Sequence, residues 1–284
     1  MRKKVFICTN NKQILGARLA AFAIQRHLSG APIEVQILNV DELSLFAQFV
    51  GKRYQRGDEW ITYTADDLQS FTLTRFMSPE LMGYEGRALV IDPDIFAIAY
   101  ISPLFDIDMQ GKAIACCSKR GAWDSSVMLL ECSALKHWNS QSLLAGLTDG
   151  RLDYTRVMQL KDEASILEIP RMWNSLDEMA SDTKMLHTTE RLTQPWRTGL
   201  PIDFTRKKMK KIFWIIPREP LYKILGRYQT TYQPHPDKRV EAFFFALLRD
   251  ALRESAVSET FLKEEVALGH VRPDIFDRLK EAAV

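Results

Sequence analysis

The 284 residues carry 38 Lys and Arg against 36 Asp and Glu, a net charge of +2, and 46% of them are hydrophobic. That composition supports a sizeable core and excludes global disorder, and the near balance of charge excludes a protein whose whole surface is basic for nucleic acid. The length suits one large α/β domain with an extension, or two small domains. Cys8, Cys116, Cys117 and Cys132 each lie in an apolar run and none stands in a CxxC pair, which reads as buried free thiols rather than zinc ligands or disulfides. The start "MRKKVFICTNN" has too short an apolar run for a signal peptide, and no apolar stretch approaches membrane-spanning length. A cytoplasmic protein is the expectation.

In chain order, "KKVFICT" (Lys3–Thr9) reads as a buried strand ending in a polar "NN". "QILGARLAAFAIQRHLS" follows with apolar residues at helical spacing, and "IEVQILNV" (Ile33–Val40) alternates as a second strand. Strand, helix, strand is a βαβ unit, so a parallel sheet is predicted, with ligands at the carboxyl ends of its strands. Thr9, Asn10 and Asn11 fall at that edge. "MSPELMGYEGRALVIDPD" gives a short helix with Ser78 as N-cap and Pro79 in the first turn, a glycine turn, and a third strand, Ala88–Ile91. "GKAIACCS" and "SSVMLLEC" are further strands, and "SALKHWNSQSLLAGL" reads as an amphipathic helix. From Asp162 to about Phe204 the pattern is loop-rich, and from Asp237 it is helical: "DKRVEAFFFALLRDALRESA", "SETFLKEEVAL" and "RPDIFDRLKEAA".

The third strand runs straight into Asp92 and Asp94, with Pro93 stiffening the backbone between them. Side chains two apart in an extended segment share a face, so the two carboxylates can converge on one point. Their like charges call for a counter-charge, and a hard divalent cation, Mg²⁺ or Mn²⁺, with oxygen ligands and phosphates completing its shell is one source. The bland reading stands beside it with equal weight: Asp92 caps the next turn and Asp94 is solvated. Two other chemistries fit less well. A phosphatase of the haloacid-dehalogenase type continues with a small hydroxyl residue where this chain has Phe96, and a sugar nucleotidyltransferase opens with a glycine-rich phosphate loop that "TNNKQILGAR" lacks.

Four blocks then carry a family resemblance: "FICTNNKQILGARLAAFAIQRHL", "TRFMSPELMGYEGRALVIDPDIFA", "WDSSVMLLEC" and "KMLHTTERLTQPWRTGLP". Together, and in this order, they resemble the GT-A glycosyltransferases, most closely the family-eight, galactosyltransferase-like branch. The resemblance implies a mixed, mostly parallel α/β sheet flanked by helices over residues 1–204, with 205–284 as a helical extension. It implies a hexosyltransferase that uses Mn²⁺ (or Mg²⁺) and a nucleotide-sugar, a UDP-sugar above all, acting on a carbohydrate or glycolipid acceptor with retention. By position, Asp92, Asp94 and His187 would hold the metal, Asp92 also reaching the ribose. Thr9 and Asn10 would hold the uracil and ribose, Arg75 the nucleotide or donor sugar, and Asp124 and Ser125 the hydroxyls of that sugar. The ordinary alternatives are a loop histidine at 187 and a surface arginine at 75.

Three departures accompany the likeness. Gln194 stands where the family has a lysine that contacts the diphosphate, which leaves Lys184 or Arg197 to meet that charge. Asp124 replaces an asparagine. The family's Asp-Gln pair near the reacting carbon has no counterpart, the match in "RMWNSLDE" stopping at Trp-Asn, so no catalytic residue is assigned. The runner-up reading is a catalytically silent nucleotide-sugar-binding protein. The stretch Thr205–Arg239 holds ten Lys/Arg against two acids with aromatics between them; it reads either as an interfacial anchor on an anionic membrane, on the cytoplasmic face, or as a solvated basic face. No nucleic-acid motif accompanies it.

Overall fold

A computed structural model of the chain describes residues 1–28, 30–119, 121–188, 191–204 and 229–281. The membrane reading of 205–239 falls mostly on 205–228 and so lies outside the described residues. No helix among the described residues is long and apolar enough to cross a membrane.

Six strands form the main sheet: β1 (Lys3–Thr9), β2 (Glu34–Asn39), β5 (Arg87–Ile91), β7 (Ile114–Lys119), β8 (Ala122–Glu131) and β9 (Ile166–Glu168), in the order β2-β1-β5-β8-β7-β9. β1 pairs parallel with β2 and β5, and β7 with β9, whereas β8 runs antiparallel to both neighbours. The sheet is therefore mixed and mostly parallel, as expected. Alternation along the strands divides the core in two. Val5, Ile7, Leu89, Ile91, Val127 and Leu129 point into one cluster, and Phe6, Cys8, Ala88, Val90, Met128 and Leu130 into the other. All four thiols are free and buried.

Helix α1 (Ile14–Arg26) crosses the first face and buries Leu15, Leu19, Phe22, Ala23 and Ile24. Two short helices follow β2: α2 (Ser44–Ala47), then, after the hairpin β3 (Arg53–Arg56) and β4 (Glu59–Thr62), α3 (Ser78–Leu81). Ser78 is the first residue of α3 rather than its cap, because the chain enters from a 3-10 stretch, Ser70–Met77, and needs no side-chain cap. Next come α4 (Ser102–Phe105), α5 (Ser140–Thr148) and α6 (Tyr154–Met158). The helix expected over Ser133–Leu147 is shorter than its apolar spacing suggests. Residues Cys132–Ala134 form a 3-10 turn, and the Asn139 side chain accepts the Ser142 N–H, so helix α5 starts only at Ser140.

The C-terminal helices α7 (Lys238–Arg253), α8 (Glu259–Ala267) and α9 (Ile275–Glu281) belong to the same core as the first face of the sheet. Val240, Phe244, Leu247, Leu248 and Ala251 follow helical spacing and are buried. Phe244 stacks on Trp196 with ring centroids 5.0 Å apart.

The stretch that looked loop-rich supplies β9 of the main sheet and two of the three strands of a second, small sheet. The small sheet has the order β10-β11-β6, where β6 is Ile95–Ala97, β10 Ser175–Leu176 and β11 Met185–His187. β11 runs antiparallel to β6 with His187 opposite Ile95. These strands are two or three residues long, too short for any alternation to announce them.

Candidate active site

Asp92, Pro93 and Asp94 form the link between β5 and β6, at the carboxyl end of the parallel strands. The link is packed tightly on α1. A Cβ on Gly16 would stand 2.6 Å from the Pro93 carbonyl oxygen, so only glycine lets the helix approach this turn. Both aspartates are buried, 7% and 8% exposed, which sets aside the solvated reading of Asp94.

Much of the counter-charge comes from the protein itself. Arg75, delivered by the 3-10 stretch, donates through Nε to Asp92 Oδ1 at 2.8 Å and through Nη2 to Oδ2 at 2.5 Å. Its Nη1 donates to Ser125 Oγ at 2.8 Å, and that hydroxyl donates to the Met158 carbonyl. Burial alone would lower the Arg75 pKa, but the charge and hydrogen bonds of Asp92 outweigh it and the guanidinium is held more firmly protonated. The surface-arginine alternative does not hold.

Asp94 is held from two sides. Gln194 Nε2 donates to its Oδ2 at 3.0 Å, and His187 Nε2 stands 3.5 Å from its Oδ1. Burial, reinforced by the charge of Asp92, pushes the Asp94 carboxyl up to about 8. His187 is buried on β11, where the register with β6 sets it beside the segment that follows Asp94, and Thr188 N donates to the Asp94 carbonyl. The tautomer of its ring follows from a chain of hydrogen bonds. Ser126 Oγ donates to Asp124 Oδ1 at 2.5 Å and accepts from Asn174 Nδ2 at 3.2 Å. Asn174 therefore turns its Oδ1 to His187 Nδ1 at 2.8 Å, which places the proton on Nδ1 and the lone pair on Nε2, toward Asp94. Burial opposes ionisation of Asp124, but the two Ser126 donors and the Arg75 charge, acting with a neutral His187, hold its carboxyl below the usual range.

These groups line a cleft of about 350 Å³. Arg75, Asp92, Asp94, Asp124, Ser125 and His187 all face it, so most of the residues singled out in the sequence meet here. Thr9 and Asn10 do not. Both are fully buried; Asn10 Nδ2 donates to Leu68 O at 3.1 Å and Ser70 Oγ at 3.0 Å, and its Oδ1 accepts from Gln13 N. Asn10 thus pins the cleft wall, and Gln13 and Leu68 are what the cleft meets. Lys184 does not line the cleft, and Arg197, 1% exposed, is committed to Asp203 and to the Lys12 carbonyl. Among the described residues, the cations that do line it, besides Arg75, are Arg56 and Lys119. Sequence reasoning missed both, together with Gln13, Ser126, Tyr154 and the role of Asn174; only Asn174 left a trace, as the last residue of the "Trp-Asn" match.

The residues fit a divalent cation. Asp92, Asp94 and His187 each offer one ligand atom within 4.8 Å of the others, compatible with a common centre at bonds of about 2.0–2.6 Å. Two carboxylate oxygens and a neutral imidazole nitrogen form a donor set that suits Mn²⁺.

No protein-family model matches the chain, and no curated protein matches it in sequence. Solved structures match it in fold. The glycosyltransferase GlyE of Streptococcus pneumoniae, in its apo form, is 13% identical over 84% of this chain and 66% of its own, with a TM-score of 0.50. The bifunctional glycosyltransferase WbbM, also apo, is 11% identical over 69% of this chain and 47% of its own, with a TM-score of 0.50. The galactosyltransferase LgtC in complex with donor and acceptor sugar analogues aligns over 68% of this chain and 89% of its own at 12% identity and a TM-score of 0.49. At these identities the likeness to GlyE and WbbM is one of fold: the chain has the fold of these glycosyltransferases.

Proposed function

We infer that this chain, which has a GT-A glycosyltransferase fold, is a metal-dependent glycosyltransferase. In this reading it moves a sugar from a nucleotide-sugar, a UDP-sugar, to a glycan or lipid-linked glycan acceptor with retention. What supports the reading is the meeting of Asp92, Asp94 and His187 in one buried cleft at the carboxyl edge of the sheet, where α/β folds bind ligands. Charge supports it too. Among the described residues, the cleft-lining cations Arg56, Arg75 and Lys119 are matched by Asp92, Asp94 and Asp124. A dication would leave the ionised cleft two charges positive, which suits the two negative charges of a nucleotide-sugar diphosphate.

Asp92, Asp94 and His187 would hold the ion, Mn²⁺ or Mg²⁺. When bound, it supplies a Lewis acid at the departing diphosphate. The protein's own groups prepare that place. Arg75 sets its positive charge against Asp92 and fixes the carboxylate's orientation, Gln194 fixes one oxygen of Asp94, and Asn174 keeps the Nε2 lone pair of His187 turned toward the carboxylates. Asp124 and Ser125 face the cleft as acceptors for the hydroxyls of a donor sugar. UDP-sugar turnover measured with and without Mn²⁺, beside Asp94→Asn, tests the reading. Dependence on the ion and loss in the variant are expected, and UDP-sugar binding or turnover indifferent to both overturns it.

A further inference from the structure

A lysine at position 194 would put positive charge beside the leaving diphosphate; Gln194 does not, and the structure shows that it cannot substitute as a neutral donor either. Its Nε2 has two hydrogens, and both are engaged, with Asp94 Oδ2 at 3.0 Å and Gln13 Oε1 at 3.2 Å. What remains is Oε1, a buried acceptor with no partner among the described residues, and an acceptor repels phosphate oxygen. Gln13 is locked in turn, since its Nε2 donates to the Leu68 carbonyl. Position 194 is thus wired into the cleft wall to hold Asp94. Arg75 is engaged with Asp92, Arg197 is sealed in the core, and Lys184 faces elsewhere than the cleft.

Among the described residues, two cations remain on the cleft lining, Arg56 and Lys119, and no described carboxylate forms an ion pair with either. Arg56 comes from the β3–β4 hairpin, half-buried, with its guanidinium carbon 4.9 Å from the centroid of the Tyr154 ring. The Tyr154 hydroxyl is itself fixed, 2.8 Å from Thr72 Oγ1. A guanidinium stacked on a fixed ring and hydrogen-bonded to the Tyr54 hydroxyl is preorganised, with further N–H groups left to offer an anion. Lys119 ends β7 opposite Ala122, beside the residues that carry Asp124 and Ser125 into the cleft.

We propose that Arg56 and Lys119 are the anion-binding pair of this cleft and receive the diphosphate of a nucleoside-diphosphate donor. The charge that the family places in its histidine block is carried here by the β3–β4 hairpin and the end of β7. The proposal rests on the nucleotide-sugar reading and adds which residues recognise the anionic part of the donor.

The test is calorimetric titration of UDP, inorganic pyrophosphate and uridine in saturating Mn²⁺, on the full chain and on Arg56→Ala, Lys119→Ala, the double variant and Lys119→Arg. Hydrogen bonds to charged groups lead us to expect about a tenfold loss of UDP and pyrophosphate affinity for each single variant and about a hundredfold for the pair. Uridine and Mn²⁺ affinities stay level, and Lys119→Arg recovers most of the loss. UDP affinity unchanged in the double variant, where the unaltered chain binds UDP, overturns the proposal and leaves the nucleotide-sugar reading intact. Equal losses for uridine and UDP also overturn it, since the pair would then serve the nucleoside or the fold. An unaltered chain that binds neither UDP nor pyrophosphate overturns both.

Discussion

Arg75 and Asp92 meet as a two-pronged fork, with each side chain only 10% exposed. Removing one partner of a buried pair leaves the other charge uncompensated, which costs about 3–5 kcal/mol. Arg75→Ala is expected to lower unfolding stability by about that amount. Arg75→Lys keeps the charge without the fork and should lose less. Urea denaturation of the three proteins measures both.

The tight seat of the Pro93 carbonyl on α1 makes a prediction with an unusual sign. Glycine to alanine inside a helix ordinarily gains about 1 kcal/mol. At Gly16 the added methyl would meet Pro93 O at 2.6 Å and the Trp196 ring at 3.3 Å, and overpacking of this kind costs about 1–3 kcal/mol. Gly16→Ala should therefore melt lower than the unaltered chain. Its Mn²⁺ affinity should fall with it, because the displaced backbone carries both aspartates. A melting curve and an Mn²⁺ titration decide the matter.

Asn174 does not line the cleft, yet it selects the His187 tautomer. Partners of this kind typically contribute about 10–100-fold in metal affinity. Asn174→Ala is expected to weaken Mn²⁺ binding within that range while the helical content holds, as read by electron paramagnetic resonance of free Mn²⁺ and by circular dichroism. Metal affinity that does not move would assign Asn174 to packing alone.

Metal uptake should depend on pH in a definite direction. The Asp94 carboxyl sits at about 8 in the fold, raised by burial and by Asp92, against 3.8 for the free group. A carboxyl raised on folding favours the protonated folded state. Its stabilising contribution is complete below about pH 4 and is lost as pH climbs through 8. A cation binds the ionised form and must displace that proton. The gain in melting temperature on adding Mn²⁺ should therefore grow from pH 6 to pH 8 and level off above. In Asp94→Asn the gain should be small and flat.

Some of this site was legible in the chain and some was not. The sequence predicts that Asp92 and Asp94 converge as neighbours on one face of an extended segment; they do meet, but across a turn at Pro93–Asp94 between β5 and β6. Arg75, His187 and Ser125 came only through a resemblance, and the structure does bring them to the same cleft. The expectation that Asn10 faces the ligand failed to foresee that its amide would be consumed in tying residues 67–70 to the end of β1. Arg56 left no signal at all, since an arginine in a short polar hairpin looks the same whether it meets water or a cleft. The shortened helix α5 shows the same limit: apolar spacing continues back through Leu135, but the cap at Asn139 decides where the helix begins.

The sequence by itself determined five of the six strands of the main sheet, its first crossover, the two aspartates at the strand edge, the buried thiols and the helical tail. Each of these is written in a local period of two or 3.6 residues that the backbone must obey. Only the tertiary structure decided what pairs with what: Arg75 with Asp92, Gln194 with Asp94, Asn174 with His187. Those partners lie 17, 100 and 13 residues apart. They are brought together by strand register and by Trp196 stacked on α7, and such contacts depend on the packing of the whole core rather than on any nearby residue.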